Sequence, residues 1–100
     1  MRVIALKNIR DFYLRYPMTM NVLKAWSEET RNAVWKTPQD IKRQYASASF
    51  LGKNRVVFNI KGNQYRLVVA VAYRFEAVHI KFIGTHAQYD AIDAETVEME

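Results

Sequence analysis

A chain of 100 residues, half of them apolar and 13% aromatic, describes a folded domain spanning 1–100 with a modest core rather than a disordered segment. It has no cysteine, which excludes disulfides, cysteine-based zinc sites and thiol nucleophiles and fits a cytoplasmic protein. Fifteen Lys and Arg against ten Asp and Glu leave a net charge of +5, which suits a polyanionic partner and equally the plain solvation of a small domain. The opening residues lack a signal-like apolar run, and nothing approaches the ~20 apolar residues of a membrane span. With two histidines and no His-Glu-x-x-His pattern, neither a metal nor another cofactor is expected.

Arg2 to Ala5 reads as a short strand. Asn8, with Asp11 three residues on, resembles a capped helix start, and Ile9, Phe12, Tyr13 and Tyr16 then form an amphipathic stripe. Tyr16-Pro17 ends that helix, because the residue before proline avoids the α region. A second helix is predicted over roughly 19–33, with Val22, Leu23, Trp26, Thr30 and Ala33 on one side. Thr37, Pro38 and Asp40 announce a third, short helix, followed by a loop around Ser47 and Gly52. Trp26, Trp35, Phe12 and Tyr13 are expected to pack in the core.

From Asn54 onward the period changes from 3.6 to 2. "RVVFNIK", "QYRLVVAVAY" and "AVHIKFIG" read as a three-stranded antiparallel meander, with Gly62-Asn63 as a two-residue hairpin turn. Helices first and sheet second argue an α+β fold, the helices packed on one face of a small, mainly antiparallel sheet. In the first hairpin Asn59 should face Arg66 and Val57 should face Val68. Arg55, Asn59, Lys61, Gln64 and Arg66 then share one face, while Val56, Phe58, Ile60, Tyr65, Leu67, Val69 and Val71 share the other. For the second hairpin, opposing Tyr73 to Val78 keeps the apolar faces together. It sets Val71 against Ile80 and Val69 against Phe82, with Thr85 level with Arg66. A one-residue slip would bury His79 and Lys81.

Charge is distributed unevenly. From Lys53 to His86 there are six basic residues and one acid, Glu76; from Ala87 to Glu100 there are five acids and no base. The acidic stretch could form a short helix, and its carboxylates could shield the basic face or bind a partner. On the basic face His86 emerges at the sheet end beside Arg66 and Asn59, while Arg55 and Lys81 lie about 13 Å further along. Such a face suits cleavage of RNA by its own 2′-hydroxyl. Histidine titrates close to working pH and can move the proton. A guanidinium can hold two phosphate oxygens at once. Arg55 and Lys81 would hold flanking phosphates, and Tyr89 could stack on a base. Lys61 and His79 also read as solvated strand residues, and an ion pair with Asp90 or Glu76 is the structural alternative for Arg66. These residues alone leave nuclease, nucleic-acid binder and scaffold open.

The segments "NRVVFNIKGN", "YRLV" and "FIGTHAQYD", in this order and spacing, resemble the HigB toxins of bacterial toxin–antitoxin pairs, within the RelE/ParE superfamily. The resemblance covers nearly the whole chain. It implies a compact RelE-like fold and an endoribonuclease that cuts mRNA during translation on the ribosome. It also implies a HigA-type helix-turn-helix antitoxin, with operator DNA contacted only through that partner. Arg66 matches the strand arginine that stabilises phosphate in related RNases, and His86 falls where relatives carry a basic catalytic residue. Lys81 joins them as a third catalytic candidate. Arg55, Asn59, Lys61, Tyr89 and Asp90 are implied as RNA-binding residues. The alternative is a non-nuclease member of the same fold, either a gyrase poison or an antitoxin co-repressor.

Overall fold

The computed structural model describes residues 1–99. The strands are β1 (Arg2–Ile4), β2 (Ser49–Leu51), β3 (Arg55–Ile60), β4 (Tyr65–Ala72) and β5 (Ala77–Thr85). The helices are α1 (Leu6–Arg15), α2 (Met20–Asn32), α3 (Pro38–Gln44) and α4 (His86–Asp90). The strands form one sheet in the order β1-β5-β4-β3-β2, antiparallel throughout except for the parallel β1–β5 pair. This is the expected α+β fold, with two more strands than the predicted meander. No helix among the described residues is long and apolar enough to cross a membrane.

Local chemistry explains most element boundaries. α1 begins earlier than Asn8: Ala5 takes a left-handed conformation (φ 72°) and turns the chain out of β1. Asp11 then pairs with Lys7 at 2.7 Å within the helix instead of capping it. Tyr16-Pro17 does end α1, and a single 3-10 turn over Pro17–Thr19 leads into α2. α3 starts at Pro38 as predicted, where the Asp40 carboxylate accepts from the backbone N–H groups of Lys36 (2.8 Å) and Thr37 (3.1 Å). Those bonds hold the Asp40 carboxyl below the usual range.

The core lies between the helices and one sheet face. Val56, Phe58, Ile60, Leu67, Val69 and Val71 meet Ile9, Leu23, Trp26 and Ile41 there. Phe58 sits at its centre, with ring centroids 5.5 Å from Trp26, 6.3 Å from Trp35 and 5.1 Å from Tyr45. Truncating a ring in such surroundings typically costs 3–5 kcal/mol.

The β3–β4 register is the predicted one: Asn59 opposes Arg66 and Val57 opposes Val68. The second hairpin differs. Its turn spans Tyr73–Phe75 and closes at Glu76 in a left-handed conformation (φ 52°). Ala72 therefore meets Ala77, Val71 meets Val78 and Val69 meets Ile80. A two-residue shift of this kind leaves every side chain on its own face, so the apolar pattern does not distinguish it. Val68 then meets Phe82, leaving Lys81 as the extra residue of a β-bulge. The bulge is itself a one-residue slip, confined to the end of the strand beyond Lys81, so both His79 and Lys81 stay out of the core. Beyond it Ile83 points inward, while Phe82 and Gly84 join the face of Arg66, and Thr85 stands level with Tyr65 rather than with Arg66.

Candidate nucleic-acid interface

The sheet face away from the helices carries two groups of candidate side chains. At one end β5 runs directly into α4. Thr85 Oγ1 accepts from the N–H of Gln88 (3.1 Å), and the Gln88 side chain accepts from the N–H of Thr85 (2.9 Å). This reciprocal cap sets the start of α4. The backbone N–H of His86 adds a bond to the carbonyl of Gln64 at 3.0 Å, tying the helix to the β3–β4 turn. His86 is thus fixed at the sheet edge with half its side chain in solvent.

Asp90 lies one helical turn beyond His86, and its Oδ2 is 3.0 Å from His86 Nδ1. A carboxylate there favours the tautomer with the proton on Nδ1, which leaves Nε2 as the unprotonated ring nitrogen. The sequence reading, which assigned Asp90 to RNA binding or to Arg66, did not foresee this pair. An i, i+4 spacing on a helix is the signal that could have found it.

Arg66 rises from β4 directly opposite Gly84. Its Nη1 donates to the carbonyls of Asn63 (3.0 Å) and Tyr65 (3.3 Å), and its guanidinium carbon lies 5.9 Å from the centre of the Tyr89 ring. Among the described residues it forms no ion pair, neither with Asp90 nor with Glu76. Gly84 makes room beside it. A Cβ at position 84 would come within 2.6 Å of both the Phe82 ring and the Gln88 side-chain oxygen. The Phe82 ring, in turn, lies 6.5 Å from Tyr89. Arginine and tyrosine therefore stand together near the Phe82 ring that the bulge at Lys81 turns to this face, and His86 opens the short helix that carries Tyr89. Asn59, opposite Arg66, completes this end, and Lys61 lies exposed in the adjoining turn (φ 52°).

The other end is built differently. Arg55 and Lys81 lie where the expected second basic row would be, but both are occupied by the acidic segment that follows α4. Arg55 is only 6% exposed and donates to the carbonyls of Ala94 and Val97 and to the Glu98 carboxylate. Lys81 Nζ reaches the other Glu98 oxygen at 2.7 Å. The hydrogen bond from Lys81, followed by that from Arg55, pulls the Glu98 carboxyl below its usual range. Of the expected residues, His86, Arg66, Asn59, Tyr89 and Asp90 gather at one end of the face, and Arg55 and Lys81 gather at the other under the chain's own acid.

Comparison with known proteins adds the family. The family model of the HigB toxin, described as the RelE-like toxic component of a toxin–antitoxin system, matches residues 19–92. The mRNA interferase toxin HigB of Escherichia coli K12 is 29% identical over 97 residues, covering 94% of this chain and 92% of the relative. The mRNA interferases HigB of Escherichia coli O157:H7 and of Shigella flexneri match to the same extent. With the match over residues 19–92 and this fold, the chain belongs to the HigB toxin family, the RelE-like toxic components of toxin–antitoxin systems.

Proposed function

We propose that this toxin is an endoribonuclease, a single-domain mRNA interferase acting in the cytoplasm on messages engaged with the ribosome. The observation that carries the reading is the His86–Asp90 pair next to Arg66, a cation with no carboxylate of its own among the described residues. The three relatives are mRNA interferases, which supports the substrate class.

Cleavage uses the RNA's own nucleophile. The 2′-oxygen bonds to phosphorus, the bond from phosphorus to the 5′-oxygen breaks, and a 2′,3′-cyclic phosphate and a 5′-hydroxyl result. One group must take the 2′-hydroxyl proton and one must return a proton to the 5′-oxygen. His86 Nε2 serves in this transfer, with Asp90 holding the ring and balancing the charge it acquires. Arg66 holds the non-bridging oxygens as negative charge builds on them. Tyr89 offers its ring to a base, and Asn59 and Lys61 contact the strand near the scissile bond. Arg55 and Lys81 belong to the flanking-phosphate end. The antitoxin in this reading is a HigA-type helix-turn-helix protein, through which alone the toxin reaches operator DNA.

The test is induced expression in cells lacking the antitoxin, wild type beside His86→Ala, with new 5′ ends mapped on translated and untranslated transcripts. Cuts confined to translated transcripts and lost with His86→Ala are the expected result. Growth arrest without new ends would overturn the nuclease reading and direct attention to gyrase.

A further inference from the structure

Arg55 is the one charged side chain in the buried set of described residues, and it is buried by the chain itself. Its Nη1 donates to the carbonyls of Ala94 (3.1 Å) and Val97 (2.6 Å), and its Nη2 donates to Glu98 Oε2 (2.6 Å). Further along the same segment, Glu95 Oε1 accepts from the N–H of Gly52 at 3.4 Å. Val57 and Val68 are also buried, although they lie on the face without helices.

Glu98 is the unusual member. Its two oxygens are divided between two cations, Oε2 to Arg55 and Oε1 to Lys81 at 2.7 Å. A phosphodiester offers the same geometry, with two non-bridging oxygens sharing one negative charge. Yet the Glu98 side chain is 60% exposed, so solvent and competing anions reach it. The site also lies on the open face that carries Arg66, four β4 residues from Ala70, the residue opposite Arg55.

We propose that Glu98 is a built-in occupant of a phosphate site, and that single-stranded RNA extending along the face from His86 displaces it from Lys81. The idea rests on the nuclease reading and adds a regulation to it. Arg55 is the anchor: its bonds to two backbone carbonyls keep the segment in place. Lys81 is the exchangeable cation, a compact ammonium on a flexible stem that trades a carboxylate for a phosphate. The segment is thus a strap that weakens binding of strands too short, or too poorly placed, to compete for Lys81.

The exchange leaves a thermodynamic mark. In the wild type, the phosphate that Lys81 takes releases a counterion from the RNA, but the Glu98 oxygen that Lys81 gives up draws a cation back from solution, so little net release accompanies the exchange. With Glu98→Gln, Lys81 starts free, and the same contact should steepen the log–log salt dependence by about 0.7, the single-strand value per phosphate. At 0.1 M salt that slope corresponds to RNA binding about fivefold tighter than wild type. Glu95→Gln removes the same charge from the same segment without touching Lys81, and should change neither quantity.

The experiment is fluorescence anisotropy of a labelled single-stranded RNA with 2′-O-methyl groups, which cannot be cleaved, over a range of salt concentrations. Wild type, Glu98→Gln and Glu95→Gln are compared, each with a thermal unfolding curve. Tighter binding and a steeper slope for Glu98→Gln alone is the expected result. Equal gains from both variants, no gain from either, or no binding by any of the three proteins overturns the proposal. A measurement on the unsubstituted chain guards against misfolding of the variant. Titration with the same RNA should shift the side-chain carboxylate carbon-13 resonance of Glu98 and leave that of Glu95 in place, and an unmoved Glu98 signal also overturns it. Cleavage is read separately on unmodified, translated RNA. A gain in binding without cleavage would remove the nuclease reading and keep the strap, and cleavage without the gain would do the reverse.

Discussion

His86 Nδ1 and Asp90 Oδ2 lie 3.0 Å apart across one turn of α4. The carboxylate engages the imidazole through Nδ1 rather than Nε2. Both side chains are more than half exposed, so the pair contributes little to folding, and its effect should appear in rate. Asp90→Asn should lower the single-turnover cleavage rate roughly tenfold to a hundredfold, part of the 10²–10⁴ usual for positioned acid–base catalysis. Binding of non-cleavable RNA and the unfolding midpoint should stay close to wild type. A variant that loses binding and rate equally would make Asp90 an RNA contact instead.

Among the described residues, Arg66 is secured only by carbonyls of its own hairpin and by the neighbouring Tyr89 ring. Arg66→Ala should therefore unfold within about 0.5 kcal/mol of wild type, as for other surface substitutions. Its cleavage rate should fall by about 10²–10³, the effect of removing one donor from a developing oxyanion. Arg66→Lys should recover only part of this, because an ammonium lacks the planar fork. Urea unfolding alongside single-turnover cleavage separates the two effects. A large loss of stability would assign Arg66 a structural role.

The Thr85–Gln88 cap connects stability with the placement of His86. Thr85→Ala leaves the N–H of Gln88 without its acceptor and should cost about 1 kcal/mol. For a domain of this size that corresponds to a fall of roughly 4–8 °C in Tm. Because the cap sets the first turn of α4, the rate should fall as well, though less than with His86→Ala. Thr85→Ser keeps the oxygen and should restore both. Failure of serine to do so would mean that the threonine methyl, rather than the cap, is what matters.

Glu98 gives the fold a dependence on acid. Its carboxyl is held below the usual range, first by Lys81 and then by Arg55. Ionised Glu98 therefore stabilises the folded chain fully above the ordinary glutamate range, and this contribution is lost as pH falls through the lowered folded value. In urea titrations from pH 7 to pH 3, wild type should lead Glu98→Gln by a constant margin at the upper end. The margin should then close as the solution becomes acidic. A margin independent of pH would show that the Lys81 and Arg55 contacts do not depend on the charge.

Local rules carried the fold a long way. Alternation from Arg55 to Val71 told the two sheet faces apart, Gly62-Asn63 placed the first hairpin, and Thr37-Pro38-Asp40 located α3. Each of these is legible because the determining residues are neighbours in the chain. The three-residue strands β1 and β2 were harder, since three residues hold too little periodicity to announce a partner. β1 in addition pairs in parallel with a strand some 75 positions away.

The remaining features depend on distance in sequence. A two-residue shift of the second hairpin conserves the apolar pattern, so the turn at Tyr73–Glu76 and the bulge at Lys81 had to come from packing in three dimensions. That bulge is why Phe82, expected in the core, lies on the face of Arg66, and the shift and the bulge together set Gly84 rather than Thr85 opposite Arg66. The basic face was visible as a list of residues, but not the fate of its cations. Arg55 and Glu98 are 43 residues apart, and no local rule says that one will bury itself against the other. Charge composition is written along the chain, whereas the choice of which charges remain free for a ligand belongs to the folded surface.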